Sequence, residues 1–258
     1  MENVKETQTK TQVFNLIILD KSGSMEEIRQ AAVSGFNETL QGIKMAQDKF
    51  EDSQEHYVSL LTFCKCKTEY VYDKLPVREA RPLALDAYKP CCFTPLYDAM
   101  GFALTSMRRY VDGLTDAVVV VTVITDGYEN ASKEYSREAV SGLVEELKNK
   151  GWTFTYMGAN QDSVRVASGL SIRNARNFEF TAEGTVACMA KDADTRQNFF
   201  ERLHEFHAEP KHASMRREDR NVCYSKMADK AFDEEEAKGK SGVDIPKRLS
   251  AIFTKIFI

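Results

Sequence analysis

The residues of this chain best placed to do chemistry lie in one short stretch, Asp20-Lys21-Ser22-Gly23-Ser24, where an apolar run ends in a carboxylate and two hydroxyls. Oxygen-bearing side chains at alternate positions can converge on one point. A small hard cation such as Mg²⁺ takes about six oxygen ligands and keeps several waters. Two later segments offer more oxygen: Thr94, just before Pro95, and Asp126, in Thr125-Asp126-Gly127. Each has an ordinary reading alone, as a turn residue for Ser22 or Asp126 and a helix cap for Ser24. A joint site needs a fold that carries these distant segments to one place.

The elements around them supply such a fold. Val13 to Leu19 is nearly continuous in apolar, β-favouring residues, and Ala117 to Thr125 is the most β-branched run in the chain. Both read as strands covered on two faces. Met25 to Phe50 carries Ile28, Ala32, Phe36, Leu40 and Ile43 at helical spacing, with Ser24 as N-cap and Glu27 completing a capping box. Tyr57 to Cys64 and Thr68 to Tyr72 read as a hairpin. Thr94-Pro95 opens a helix to about Tyr110, Thr94 capping it. Tyr135 to Lys150 is an amphipathic helix closed by Gly151, followed by a strand from Trp152 to Met157. A short helix near Ser163 to Ser168, a strand near Asn177 to Phe180, and one or two helices over Thr181 to Phe206, the second starting at Asp194 or Thr195, complete the alternation. The fold class is α/β: a Rossmann-like, doubly wound, mostly parallel sheet with one antiparallel edge strand and helices on both faces. In such a sheet the strand C-termini share one edge, where Asp20 and Asp126 both fall.

Asp-x-Ser-x-Ser after an apolar strand, a later Thr at a helix start, and Thr-Asp-Gly after a Val-rich strand together resemble the von Willebrand factor A-type (VWA) domain with its metal-ion-dependent adhesion site. The resemblance covers roughly residues 11–207 and is to the intracellular, bacterial type. It implies that Ser22 and Ser24 bind the ion through their hydroxyls and that Thr94 binds directly or through water. Asp20 and Asp126 then act mainly through waters or behind the ligands. It further implies a Mg²⁺ cofactor, with Mn²⁺ or Ca²⁺ as alternatives, completed by an Asp or Glu of a partner protein. Phe93, Tyr128 and Asn130 form the rim facing that partner. Relatives of this type resemble adaptors that work with AAA+ ATPases or in stress-resistance assemblies. One departure stands out: Pro90-Cys91-Cys92-Phe93 replaces the glycine-rich loop common before the threonine.

The implied function is a non-enzymatic, cation-dependent protein-binding module. A phosphatase of the Asp-x-Asp kind is disfavoured because Ser22 stands where the second carboxylate belongs. A scaffold acting through its C-terminal segment, with a vestigial metal site, is the competing reading. His204 and His207, spaced i and i+3, miss the zinc-protease pattern and read as structural or solvent-facing. Asp98 and Glu129 read as helix caps or solvent-facing groups.

The 43% hydrophobic content suffices for a packed core, and the net charge of -4 is mixed along the chain, with no basic stripe for nucleic acid. Met1 to Gln12 has no apolar core of the secretory kind and no run is long enough to span a bilayer, so a cytoplasmic location is expected. The six cysteines read as free thiols, although Cys64 and Cys66 brought against Cys91 and Cys92 would make a tetrathiolate zinc site. Residues 1–10 read as a flexible N-terminus, residues 11–207 as the VWA domain and 208–258 as a charged tail. The tail closes in an amphipathic helix with Leu249, Ile252, Phe253, Ile256 and Phe257 on one face.

Overall fold

The computed structural model describes residues 10–159 and 162–240. Its strands are β1 (Thr11–Asp20), β2 (Gln54–Cys64), β3 (Lys67–Pro76), β4 (Ala117–Thr125), β5 (Thr153–Ala159) and β6 (Asn174–Phe178). They form one sheet in the order β3-β2-β1-β4-β5-β6. Every neighbouring pair is parallel except β2 and β3, the antiparallel edge hairpin. The helices are α1 (Arg29–Lys49), α2 (Leu96–Val111), α3 (Arg137–Asn149), α4 (Ser163–Gly169), α5 (Ala182–Ala208), α6 (Pro210–Ala213) and α7 (Arg217–Lys240). The expected α/β architecture is the one observed.

The uninterrupted apolar run of β1 follows from its central place. Phe14, Leu16 and Ile18 pack with Leu96, Met100 and Leu104 of α2 and Val140 of α3 on one face. On the other, Ile17 and Leu19 join Phe36 and Leu40 of α1 and Met189 of α5, while Val13 meets Phe199, Phe200 and Leu203 of α5. With both faces covered, alternation of polar and apolar residues has no role. The exception is Asn15, which accepts a hydrogen bond from Arg196 of α5.

Several boundaries differ from those the sequence suggests. A 3₁₀ turn, Gly23–Glu26, precedes α1, whose N-cap is Ile28 without a side-chain bond, so Ser24 and Glu27 make no capping box. Thr94 does not cap α2 either, because Pro95 holds the N-cap position. β6 begins at Asn174 rather than near Asn177. The last helix of residues 11–207 is single and unbroken: Thr195 returns its hydroxyl to the Lys191 carbonyl (2.8 Å) instead of starting a new helix. Gly151 does close α3, at φ 84°, with Gly151 N–H bonded to the Lys148 carbonyl and Trp152 N–H to that of Leu147, a Schellman motif.

The largest correction concerns the charged tail. Residues 217–240 are helical, and Tyr224, Ala228 and Ala231 of α7 are buried with Phe199, Phe200 and Leu203 of α5. Their spacing is helical, but a stripe built from one tyrosine and two alanines hardly shows among so many charges. Arg176 to Glu236 (2.7 Å) and Arg202 to Glu234 (2.6 Å) tie the polar flanks down. The apolar segment 245–258 and residues 1–9 lie outside the described residues.

Candidate metal centre

β1 and β4 lie side by side, yet the chain leaving β1 returns on one side of the pair as β2 and the chain leaving β4 returns on the other as β5. The loops beyond two such strands diverge and leave a crevice at their C-terminal ends, the usual ligand position in open α/β sheets. Leu19 is in register with Ile124, so Asp20 and Thr125 are neighbours, and Thr125 Oγ1 donates to Asp20 Oδ2 at 2.6 Å. Ser22 N–H donates to Asp20 Oδ1 at 2.7 Å. This side-chain turn reverses the chain directly after the strand. Met25, fully buried, anchors the turn, and its N–H bonds the Ser22 carbonyl at 3.1 Å. Ser24 Oγ donates to Asp126 Oδ1 at 2.8 Å, and Ser22 Oγ lies 3.3 Å from Ser24 Oγ.

Thr94 arrives from a third segment. A methyl group added to Gly127 would lie 3.3 Å from Thr94 Oγ1 and 3.8 Å from Ser24 Oγ, so both hydroxyls flank the backbone just after Asp126. Asn130 fixes Thr94 by a reciprocal pair, its Oδ1 accepting from Thr94 N–H (2.8 Å) and its own N–H donating to the Thr94 carbonyl (3.1 Å). The start of α2 is capped from the same loop: Glu129 accepts from Tyr97 N–H (3.0 Å) and Ser132 Oγ from Asp98 N–H (3.0 Å). The Thr94 hydroxyl is therefore not used as a cap. Asp98 in turn accepts from the N–H groups of Lys133, Glu134 and Tyr135, so it organises the loop after β4 rather than facing solvent.

Burial sets the electrostatics. Asp20 is fully enclosed, and desolvation pushes its carboxyl up to about 6 against the opposing bonds from Thr125 and Ser22. Asp126 is raised by the same cause, opposed by its bond from Ser24. Asp126 Oδ2 is buried and has no hydrogen-bond partner among the described residues. Lys21 adjoins the loop in sequence, but its ammonium turns to Glu69 at 2.9 Å. Three hydroxyls and two desolvated carboxylates, one with an unpartnered oxygen, fit a hard divalent cation, since positive charge is what the pocket lacks. Ser22, Ser24 and Thr94 could hold such an ion, with Asp20 and Asp126 beside them.

All five expected ligands thus come together. Phe93 and Tyr128 stand 55% and 54% exposed at the loops bearing Thr94 and Asp126, as expected of a rim, whereas the side chain of Asn130 first of all braces Thr94. Sequence reasoning missed Thr125 as the residue fixing Asp20, and Tyr88, whose buried hydroxyl bonds the Asp20 carbonyl. Thr125 was visible beside Asp126. Tyr88 sits in an irregular proline-rich segment that carries no signal of this kind. His204 bonds Ser53 (2.8 Å), and His207 bonds Thr11 (3.0 Å) and Tyr224 (3.1 Å), all near the opposite end of the sheet, so both histidines are structural.

No protein-family model and no curated protein matches the chain. Solved structures share its fold. Proximal thread matrix protein 1 from the mussel byssus aligns at 16% identity and TM-score 0.50 over 71% of this chain. The pilus adhesin SpaC from Lactobacillus rhamnosus GG aligns at 14% identity and TM-score 0.52 over 75% of this chain. The chain spans 46% and 31% of those two proteins. The VWA domain of SpRpn10 aligns at 8% identity and TM-score 0.45, covering 69% of this chain and 94% of that one. The similarities to the first two proteins concern the fold and nothing finer. Among the described residues no helix is long and apolar enough to cross a membrane.

Proposed function

We propose that this chain, which has the fold of a VWA domain, is a divalent-cation-dependent protein-binding module. The ion is held by the hydroxyls of Ser22, Ser24 and Thr94, with Asp20 and Asp126 holding it through water or from behind. The supporting observation is that three loops from one sheet edge meet around Asp126, whose buried Oδ2 no protein group satisfies among the described residues. With few carboxylates bound directly, the ion keeps its attraction for an acidic oxygen, and a partner's Asp or Glu completes its shell. Mg²⁺ is the ion of choice, with Mn²⁺ or Ca²⁺ served by the same all-oxygen set. Phe93 and Tyr128 supply apolar contact on the rim. An AAA+ ATPase or a stress-resistance assembly is the partner class to seek first.

Binding is favoured over hydrolysis because Ser22, unlike a carboxylate, supplies no acid or base at neutral pH. The scaffold reading loses residues 217–240, since α7 is already engaged with α5. Calorimetric titration with Mg²⁺ and Mn²⁺ tests the proposal. One binding event is expected for the intact protein and none for Asp20→Ala or Ser22→Ala, whose circular dichroism is unchanged. A pull-down from native extract should lose its partner in EDTA. Equal heat from the variants, or no heat from the intact chain, overturns it.

A further inference from the structure

Four of the six cysteines meet beside the candidate metal centre. Cys64 Sγ lies 3.3 Å from Cys91 Sγ, Cys92 Sγ lies 3.4 Å from Cys91 Sγ, and Cys66 Sγ lies 2.8 Å from Cys92 Sγ. The sulfurs of Cys64, Cys91 and Cys92 all fall within 4.8 Å of one another. These separations are well beyond a disulfide bond of about 2.05 Å. The distances from Cys91 to Cys64 and Cys92 approach the edge of about 3.8 Å in a tetrahedron whose metal–sulfur bonds are about 2.3 Å, and Cys66 stands outside this group of three, joined to it through Cys92. We propose that Cys64, Cys66, Cys91 and Cys92 form a second metal site, for a thiophilic ion of the zinc class, separate from the oxygen-lined centre.

Two features of the backbone favour a built site over a chance meeting of thiols. Side chains at adjacent positions of an extended chain point apart. Cys92 adopts φ 52°, the left-handed region, which brings its sulfur back toward that of Cys91. For a residue with a Cβ that conformation is strained, and glycine is its usual occupant. The two cysteine pairs are also held at fixed distance by main-chain bonds. Lys65 N–H donates to the Phe93 carbonyl (2.9 Å), Cys91 N–H to that of Lys21 (2.9 Å), and Gly23 N–H to that of Cys92 (3.0 Å). Lys65 and Lys89, close in sequence to the cysteines, suit a tetrathiolate zinc centre, which carries a net charge of about -2, whereas Lys67 is already paired with Glu69.

Such an ion joins the β2–β3 turn to the loop that precedes Thr94 and touches Gly23. It would do what glycines in that loop cannot, clamping Thr94 in place from outside. Only this link to Thr94 rests on the proposed function; the metal content is read without it.

The test uses the full chain purified under reducing, chelator-free conditions. Elemental analysis should find about one zinc ion per chain, lost in Cys91→Ser and Cys92→Ser and retained in Asp20→Ala and Cys188→Ser. Should the cysteine variants fail to fold, mercurial titration of the intact chain decides, since zinc must leave in step with modification of these four thiols. A cobalt-substituted protein should show thiolate-to-metal charge-transfer absorption. Background metal with these four thiols freely reactive, zinc retained in Cys91→Ser, or a Cys66–Cys92 disulfide by mass spectrometry overturns the site. If zinc is present, its removal should also weaken Mg²⁺ binding; failure of that step alone overturns the clamp and leaves the zinc site standing.

Discussion

β1 and β4 carry two buried polar clusters, one in mid-sheet and one at the C-terminal edge, and they are built on opposite principles. In mid-sheet, Arg196 reaches down from α5 to Asn15 (3.0 Å), Thr122 and Asp192 (2.9 Å), and Arg176 approaches Asp192 at 3.7 Å. Positive and negative charge meet there within the chain. At the edge, Asp20 and Asp126 are buried with hydroxyls and N–H groups only, and Lys21 is turned away to Glu69. A buried charge with an internal counter-charge belongs to the fold, whereas a buried charge without one calls for something from outside.

Removing the arginine should expose this difference most strongly. Arg196→Met leaves Asp192 and Asn15 without their main partner and should cost about 3–5 kcal/mol in chemical denaturation. A loss below about 1 kcal/mol would mean that the mid-sheet cluster is not structural after all.

The edge should respond in the opposite sense. The Asp20 carboxyl is raised to about 6 in the folded chain from an ordinary 3.8, so above 3.8 the unfolded chain releases this proton first. In chelator this group therefore lowers stability as pH climbs from about 4 to about 6, and the loss persists above that. Asp20→Asn removes the charge while an amide can still accept from Ser22 N–H. In EDTA at neutral pH the variant should be more stable than the parent by up to about 3 kcal/mol. Saturating Mg²⁺ should reverse the order. An Asn variant less stable than the parent in chelator would undo the contrast between the two clusters.

The smallest effect tests how tightly the loops close. Gly127→Ala places a methyl group 3.3 Å from Thr94 Oγ1. It should weaken Mg²⁺ binding by about tenfold or less, roughly 1 kcal/mol, with little change in unfolding midpoint. Unchanged affinity by calorimetry would place the ion farther from Thr94 than proposed.

The legible parts were those with local causes. The apolar run of β1 and the β-branched run of β4 announce two-sided burial, and their abrupt ends in Asp20 and Asp126 announce a shared edge. Gly151 marks a helix end through its own backbone freedom. The failures were also physical. Ser24 and Thr94 look like helix caps because hydroxyls before helices generally are caps, but α1 has no side-chain cap and α2 takes its caps from Glu129 and Ser132, some 35 residues downstream of Thr94. The helix α7 was hidden because small and aromatic residues on α5 and α7 interlock without many branched side chains.

The sequence by itself determined the alternation of elements, the strand ends and the set of oxygen-bearing residues, since periodicity and termination are properties of neighbouring residues. Only the tertiary structure decided which hydroxyls are left free of capping duty, that Arg196 reaches Asn15 and Thr122 of the sheet while Asp20 and Asp126 stay uncompensated, and that two distant cysteine pairs meet. Those outcomes depend on which loops the sheet brings together across some 25 to 180 residues of chain, and burial then sets the energy of each unpaired charge.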